Sequence, residues 1–255
     1  MPLNSVLPSS THLVLIPSYN SGFKLIETVE DALREWAPVW VILDGCTDES
    51  KARLEKLKAE TGRLQVISLE RNQGKGAAVL HAMKLALAAG FQYALVMDAD
   101  GQHPSDYIQR FMTASQENPS AMILGEPEFA ADAPFSRRNG RCVGNWWTNL
   151  ATLWGGIHDS LFGFRVYPLR ASVEILEKIK RGRGFDFETE LVVRLYWRGI
   201  PPINIKAPVK YFEKEQGGVT YFHYIRDNLL LIRTHTLFFF GMLARFSYLW
   251  RLRKR

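Results

Sequence analysis

The sequence predicts an α/β fold: a mainly parallel, twisted sheet with helices on both faces. Three observations point to it. Five short apolar runs in the first 125 residues alternate with four amphipathic stretches. The runs are nearly continuous in Val, Ile and Leu, as strands buried on both faces are. The stretches between them are long enough to cross over between parallel strands.

In chain order, residues 12–17 (His-Leu-Val-Leu-Ile-Pro) read as the first strand and 23–36 as the first helix. Residues 39–44 form the second strand, and 48–61 a helix with Lys51, Leu54, Leu57 and Lys58 at helical spacing. A third strand over 64–69 precedes a helix over 74–89, with Val79, Met83 and Leu87 on one face. The fourth strand, 93–98, leads to a helix over 104–117, whose first turn suits Pro104. The fifth strand is 121–125. Beyond Gly125 the pattern changes. A loop is expected over 126–134, helices over 136–154 and 185–197, and strands over 162–167 and 203–211. No linker composition separates the two parts. One domain over 11–220 is therefore expected, with halves 11–125 and 126–220 and a second half-sheet in the latter, followed by a tail over 221–255.

Bulk properties exclude several classes. The chain has 255 residues, 47% hydrophobic and 23% charged, which is ample for a core. Two cysteines, Cys46 and Cys142, give neither a disulfide framework nor a metal-binding pair, so a reducing compartment is expected. The first ten residues lack Lys and Arg, and the apolar run 13–16 is too short for a signal-peptide core. A cytoplasmic location is expected. The net charge of +6 resides in the tail, where seven basic residues face only Asp227. The other 220 residues carry 25 bases and 25 acids. No basic field on the body suggests nucleic acid.

Residues 94–104, Ala-Leu-Val-Met-Asp-Ala-Asp-Gly-Gln-His-Pro, carry the strongest chemical signal. A buried strand runs straight into two carboxylates, Asp98 and Asp100. Strand ends lie at the rim where α/β proteins bind ligands. Two carboxylates one residue apart there can share a magnesium or manganese ion that keeps positions open for phosphate oxygens. Two further strand ends are polar: Pro17-Ser18-Tyr19-Asn20 and Asp44-Gly45-Cys46-Thr47-Asp48. Parallel strands bring all three to one edge. Asp44 can accept from a base N–H or a ribose hydroxyl, whereas Asp48 suits a helix N-cap. Asn72-Gln73-Gly74-Lys75-Gly76 precedes a helix and offers close backbone approach and a cation. It is not a Walker loop, and the chain has no dinucleotide-binding glycine fingerprint.

In this order and spacing, these four motifs resemble the family 2 inverting glycosyltransferases of the GT-A fold. The longer acidic motif, with Gln102 and Pro104, is similar to the branch of dolichol- and polyprenyl-phosphate sugar transferases. Asp159 followed by Gly163-Phe164-Arg165 is similar to that branch's Asp-x-x-Ser-Gly-Phe-Arg segment. The resemblance spans about residues 11–212. It implies that 11–125 is the nucleotide-binding half and 126–220 the acceptor-binding half. It further implies that Pro17, Tyr19 and Asp44 line the nucleotide pocket, with Lys75 and Asp98 beside the nucleotide. Asp98 and Asp100 would hold the divalent cation on the diphosphate, with Gln102 as an added ligand. The expected reaction is metal-dependent, single-displacement transfer of a sugar from a nucleotide-sugar donor, with inversion. The expected acceptor is a membrane lipid, polyprenyl phosphate above all.

Four positions depart from the family pattern. Leu43 stands before Asp44 where a second Asp is usual, Cys46 where Ser is usual, and Ser21 where an acidic residue is usual. Phe162 replaces the hydroxyl residue before Gly163.

Activation of the acceptor has two solutions. A hydroxyl needs a general base, for which Asp186, Glu188 and Glu190 are candidates. These residues equally suit a helix start, which favours negative charge. A phosphate is already a nucleophile and needs cations instead: Arg137, Arg138, Arg165, Arg181 or Arg183. Arg165 stands out because it lies inside a matching motif. Trp146 and Trp147 are expected in the core rather than stacked on a sugar. Of the six histidines, only His103 lies beside the acidic motif.

In the tail, eleven uncharged residues separate Arg233 from Arg245. At about 1.5 Å per residue they cover roughly 17 Å, short of a hydrocarbon core of about 30 Å. On one continuous helix, Arg226, Arg233, Arg251 and Arg255 share a face opposite the aromatics. That pattern suits a helix lying on the anionic inner face of a membrane. Packing on the domain or on a second copy would use the same apolar residues. Three rival functions remain: transfer to a soluble or non-phosphate lipid hydroxyl, nucleotidyl transfer, and nucleotide binding without catalysis.

Overall fold

Alternate residues of the first strand, β1 (His12–Ser18), enter opposite layers. Leu13 and Leu15 join one apolar cluster, Val14 and Ile16 the other. The computed structural model describes residues 6–129, 135–179, 187–209 and 224–253, apart from the side chains of 135–140 and 224–232.

The elements that follow are α1 (Gly22–Glu35), β2 (Val39–Asp44), α2 (Ser50–Thr61), β3 (Leu64–Leu69), α3 (Lys75–Ala88), β4 (Tyr93–Val96) and α4 (Ile108–Glu117). Then come β5 (Met122–Glu128), α5 (Phe135–Ala151), β6 (Arg165–Pro168), α6 (Leu169–Lys178), α7 (Phe187–Trp197), β7 (Pro202–Pro208), α8 (Tyr224–Leu243) and α9 (Phe246–Arg253). The strands form one seven-stranded sheet in the order β3-β2-β1-β4-β6-β5-β7. All neighbours are parallel except β6, which runs antiparallel to both β4 and β5. Strands on either side of residue 125 thus belong to the same sheet, with β6 inserted between β4 and β5.

Helices α1, α2 and α4 cover one face, through Leu25, Val29, Leu54, Leu57, Phe111 and their neighbours. Helices α3, α6 and α7 cover the other, through Val79, Met83, Val173, Leu176, Leu191 and Leu195. This two-sided burial is why the strands are apolar at nearly every position.

Several expectations need correction. Residues 126–128 extend β5 instead of starting a loop, because Glu126, Pro127 and Glu128 pair in register with Lys206, Ala207 and Pro208. Helix α6 has no counterpart among the expected elements, although Leu169, Val173 and Leu176 have helical spacing and are buried. Helix α5 ends at Ala151, and Leu153 and Trp154 adopt left-handed conformations with φ of 52° and 57°. Trp146 is 52% exposed and therefore not a core residue, and Trp147 stacks on His235 at 6.1 Å. The tail is two helices broken at 244–245. Arg245 folds back over the Trp197 ring at 4.9 Å and donates to the Gly241 carbonyl. Phe238, Met242 and Leu249 bury themselves against the body. No helix among the described residues is long and apolar enough to cross a membrane.

Candidate active site at the carboxyl edge of the sheet

Because β1, β2 and β4 are parallel, their carboxyl ends share an edge, and the motif residues gather there. Asp44 closes β2 and is buried. Its carboxylate accepts the backbone N–H of Gln73 (2.8 Å) and of Gly74 (2.9 Å). Asp44 therefore organises the loop before α3. Gly45 permits this: at φ +70°, any Cβ would lie 2.3 Å from the Asn72 nitrogen. Glu49, not Asp48, is the N-cap residue of α2, but the Asp48 carboxylate accepts the N–H groups of Gly22 (3.0 Å) and Ser50 (3.1 Å), the first residues of α1 and α2. Cys46 takes up the hydroxyl's usual place. Its Sγ accepts the Asn20 N–H at 3.3 Å and donates to the Ser18 carbonyl at 3.4 Å. Pro17 is buried in β1, whereas Tyr19 is exposed just beyond it.

Lys75 opens α3 and points into the acidic edge. Its ammonium pairs with Asp98 Oδ1 and lies 2.6 Å from Glu188 Oε1, at the start of α7. Burial disfavours the charge on Lys75, but Asp98 and Glu188 outweigh it and raise the pKa. For Asp98, burial pulls upward, yet Lys75, then His103, hold the carboxyl at about 2. Burial, followed by the charge of Asp98, pushes Asp100 up to about 6. The charge of Asp98 thus works against ionisation of Asp100, and a cation shared by the two would relieve that repulsion. The Asp100 Oδ1 also accepts the backbone N–H of Gln102 at 3.0 Å.

His103 sits behind this pair. Its Nδ1 accepts the Asp98 backbone N–H at 3.0 Å. Burial lowers its pKa to about 4, against the pull of Asp98 and with help from Lys75 and Arg141. Phe162, the departure from the hydroxyl pattern, packs edge-on against the His103 ring at 4.9 Å. Gly163 lies two residues before β6, just past the last β4–β6 pair, Val96 with Arg165. A Cβ there would come within 3.0 Å of Asp98 Oδ2 and 3.1 Å of Glu188 Oε1. The glycine of the Gly-Phe-Arg segment is thus the gap in which the two carboxylates meet.

Not every expected residue joins them. Glu190 turns away and forms a two-point pair with Arg194, at 2.7 and 3.0 Å, because residues two apart on a helix face opposite sides. Arg165 is fully buried. It donates to the Tyr167 hydroxyl (3.2 Å) and to the carbonyls of Glu188 (3.3 Å) and Asp159 (3.4 Å). It ties α7 to the turn at 159–162 from behind. Asp186, Arg181 and Arg183 lie outside the described residues, as do the side chains of Arg137, Arg138 and Arg226 and all of Arg255.

Sequence reasoning missed Arg141. It is partly exposed on α5, rests over the Phe129 ring at 5.6 Å, and pairs with Asp159 through Nη1 at 3.0 Å. Asp159 also accepts the N–H groups of Leu161 (2.8 Å) and Phe162 (2.7 Å), so Arg141 is anchored to the same turn as Gly163. The available signal was Asp159 itself, a motif carboxylate in need of a cation.

The donor set fits a hard divalent cation. Asp98 and Asp100 present oxygens only, two residues apart in the loop after β4. Among the described residues no three His, Cys, Asp or Glu side chains form a closed metal cage. An open two-carboxylate arrangement is what magnesium or manganese uses when substrate phosphates complete its shell.

Comparison with known proteins agrees with this geometry. Residues 13–176 match the family model for glycosyl transferase family 2. Polyprenol monophosphomannose synthase of Mycolicibacterium smegmatis is 28% identical over 235 residues, covering 84% of this chain and 82% of that protein. Undecaprenyl-phosphate mannosyltransferase of Micrococcus luteus is 24% identical over 222 residues, covering 80% and 85%. Among solved structures, glucosyl-3-phosphoglycerate synthase from Mycobacterium tuberculosis, in complex with Mn2+, uridine diphosphate and glucosyl-3-phosphoglycerate, superposes with a TM-score of 0.62 at 13% identity. That match covers 92% of this chain and 79% of the other, and it bears on the fold. The chain belongs to glycosyl transferase family 2, has the GT-A fold, and is a glycosyltransferase.

Proposed function

We propose that this enzyme transfers a sugar from a nucleotide-sugar donor to a polyprenyl phosphate at a membrane surface, by a single displacement with inversion. The observation that carries the reading is the convergence of Asp98, Asp100, Lys75 and Glu188 at one sheet edge, with Asp44 beside them. Asp98 and Asp100 would hold magnesium or manganese, whose charge, when bound, offsets that developing on the departing nucleoside diphosphate. Gln102 is a further candidate ligand. Lys75 adds a cation from the protein for the same oxygens. Pro17, Tyr19 and Asp44 border the space for the nucleoside.

A phosphate acceptor supplies its own anionic oxygen, so no base is required to deprotonate it. The site supports this reading over a hydroxyl acceptor, since Glu188 is engaged by Lys75 and Glu190 by Arg194. Of the two, only Glu188 faces the edge and stays a candidate base; Asp186 remains a third. Arg141, anchored by Asp159 to the turn that leads into Gly163, is the candidate cation for the acceptor phosphate. The relatives from M. smegmatis and M. luteus, a polyprenol monophosphomannose synthase and an undecaprenyl-phosphate mannosyltransferase, favour the same acceptor class.

The membrane would be met through α8 and α9. Leu237, Phe240, Leu243, Phe246 and Trp250 are exposed there beside the exposed Arg233, Arg251 and Arg253. Apolar side chains next to basic ones suit an anionic lipid surface, and this supports a peripheral position on the inner face.

The donor half is tested by thermal stabilisation with Mn2+ and a panel of nucleoside diphosphates and nucleotide sugars, with Asp100→Ala as control. A shift selective for one nucleotide and absent in the variant is expected. No shift with any nucleotide would move the reading to a protein that has lost its donor site.

A further inference from the structure

Lys75 stands on ground that a dissolved cation would contest. Among the described ion pairs it alone joins Asp98 to Glu188. Its side chain is only 15% exposed, and its ammonium also lies 5.9 Å from the centre of the Phe187 ring. Its placement is fixed from the backbone outward. Gln73 and Gly74 donate their N–H groups to Asp44, and Lys75 follows as the first residue of α3. A carboxylate at the end of β2 thereby delivers an ammonium to carboxylates beyond β4 and on α7.

We infer that Lys75 is a built-in counter-ion that competes with a divalent cation for Asp98 and keeps metal affinity low until a nucleoside diphosphate arrives to receive the ammonium. The inference rests on the reading of Asp98 and Asp100 as the metal carboxylates. Its physical basis is charge. Asp98 Oδ1 is already engaged, and a divalent ion brought to the same carboxylate lies beside a positive charge in a partly desolvated site. A diphosphate changes this, because its oxygens accept hydrogen bonds from Lys75 while its charge offsets both cations. Metal and nucleotide then favour each other's binding, with Lys75 as part of the coupling.

The test is a Mn2+ titration of the metal-free full chain, read by the electron paramagnetic resonance signal of free Mn2+, without substrate or turnover. Lys75→Gln and Lys75→Met remove the charge by two routes, so one intolerant substitution does not end the test. Both are expected to bind Mn2+ about tenfold or more tightly than the natural chain. Lys75→Arg, which keeps the charge, should bind as weakly as the natural chain, and Asp100→Ala more weakly still. Adding uridine or guanosine diphosphate should narrow the gap between the natural chain and the neutral variants. If the neutral variants bind Mn2+ no more tightly while Asp100→Ala loses binding, the counter-ion inference is overturned and the metal site stands. If no protein binds Mn2+, with or without either diphosphate, the metal reading and the inference fall together.

Discussion

Gly163 and Asp98 approach each other just past the end of the β4–β6 pairing, so close that a Cβ on Gly163 would lie 3.0 Å from the Asp98 carboxylate. The other obstacle is the Glu188 carboxylate, at 3.1 Å. Both are side-chain ends that can move, so Gly163→Ala should fold. Its unfolding free energy should stay within about 1 kcal/mol of the natural chain. Both carboxylates would be displaced, however, and activity should fall about tenfold or more. Denaturant unfolding beside steady-state kinetics checks the split. Unchanged kcat/KM would mean that the gap has no role in the site.

Arg165 should behave as a buried positioning residue. Arg165→Met leaves the carbonyls of Glu188 and Asp159 without their donor and removes the charge beside Glu188. A loss of about 3 kcal/mol in unfolding free energy is expected. Arg165→Lys should rescue little of it, since an ammonium cannot span three acceptors as a planar guanidinium does. A variant of full stability with only a raised KM for the acceptor would restore Arg165 to the acceptor side.

The interior histidines make stability depend on pH. Burial lowers His12 from 6.5 to about 4, and its Nε2 lies 3.1 Å from Ser115 Oγ within the core. Between those values the unfolded chain binds a proton that the folded chain refuses. The His12 contribution is complete above pH 6.5 and is lost as pH falls towards 4. Urea midpoints should drop from pH 7.5 to pH 5. His12→Asn should flatten that drop in part, since His103 and His235 are lowered in the same direction. An identical slope in the variant would remove His12 from the account.

Asp44 offers a different readout. Asp44→Ala leaves the N–H groups of Gln73 and Gly74 without acceptors, at a cost of about 1–3 kcal/mol. It also loosens the loop that aims Lys75. Nucleotide affinity should fall further in Asp44→Ala than in Asp44→Asn, which keeps one acceptor oxygen. Isothermal titration with the best nucleoside diphosphate measures both.

The sheet was legible for a physical reason: strands covered on both faces are apolar at nearly every position, and the first five runs show it. The strand ends were legible because the polar residues follow those runs directly. Other features were not local. The reversal of β6 depends on where residues 165–168 find partners, which periodicity does not encode. Glu188 and Glu190 are chemically alike in sequence, and only the helix phase separates the one facing Lys75 from the one facing Arg194. Arg165 lies within a functional motif yet acts from behind it, through backbone carbonyls that no sequence pattern marks. The tail's composition is amphipathic throughout and predicts one helix. The break falls at 244–245, where Arg245 rests over the Trp197 ring, a contact between distant parts of the chain that composition does not encode.

The exposed side of α8 and α9 should carry membrane binding. Phe240 is 63% exposed and Trp250 is 45% exposed, so replacing both with Ser should leave the fold intact. Sedimentation with anionic vesicles should fall several-fold, while Mn2+–nucleotide stabilisation stays unchanged. Undiminished sedimentation would locate membrane contact elsewhere.

The central claim is tested most directly by product analysis. The full chain would be incubated with Mn2+, labelled nucleotide sugars, and vesicles containing either polyprenyl phosphate or the matching polyprenol. The expected result is a labelled lipid formed from the phosphate alone, with one nucleoside diphosphate released per transfer and none formed by Asp100→Ala. Release of pyrophosphate, or transfer to the polyprenol in preference to the phosphate, would contradict it.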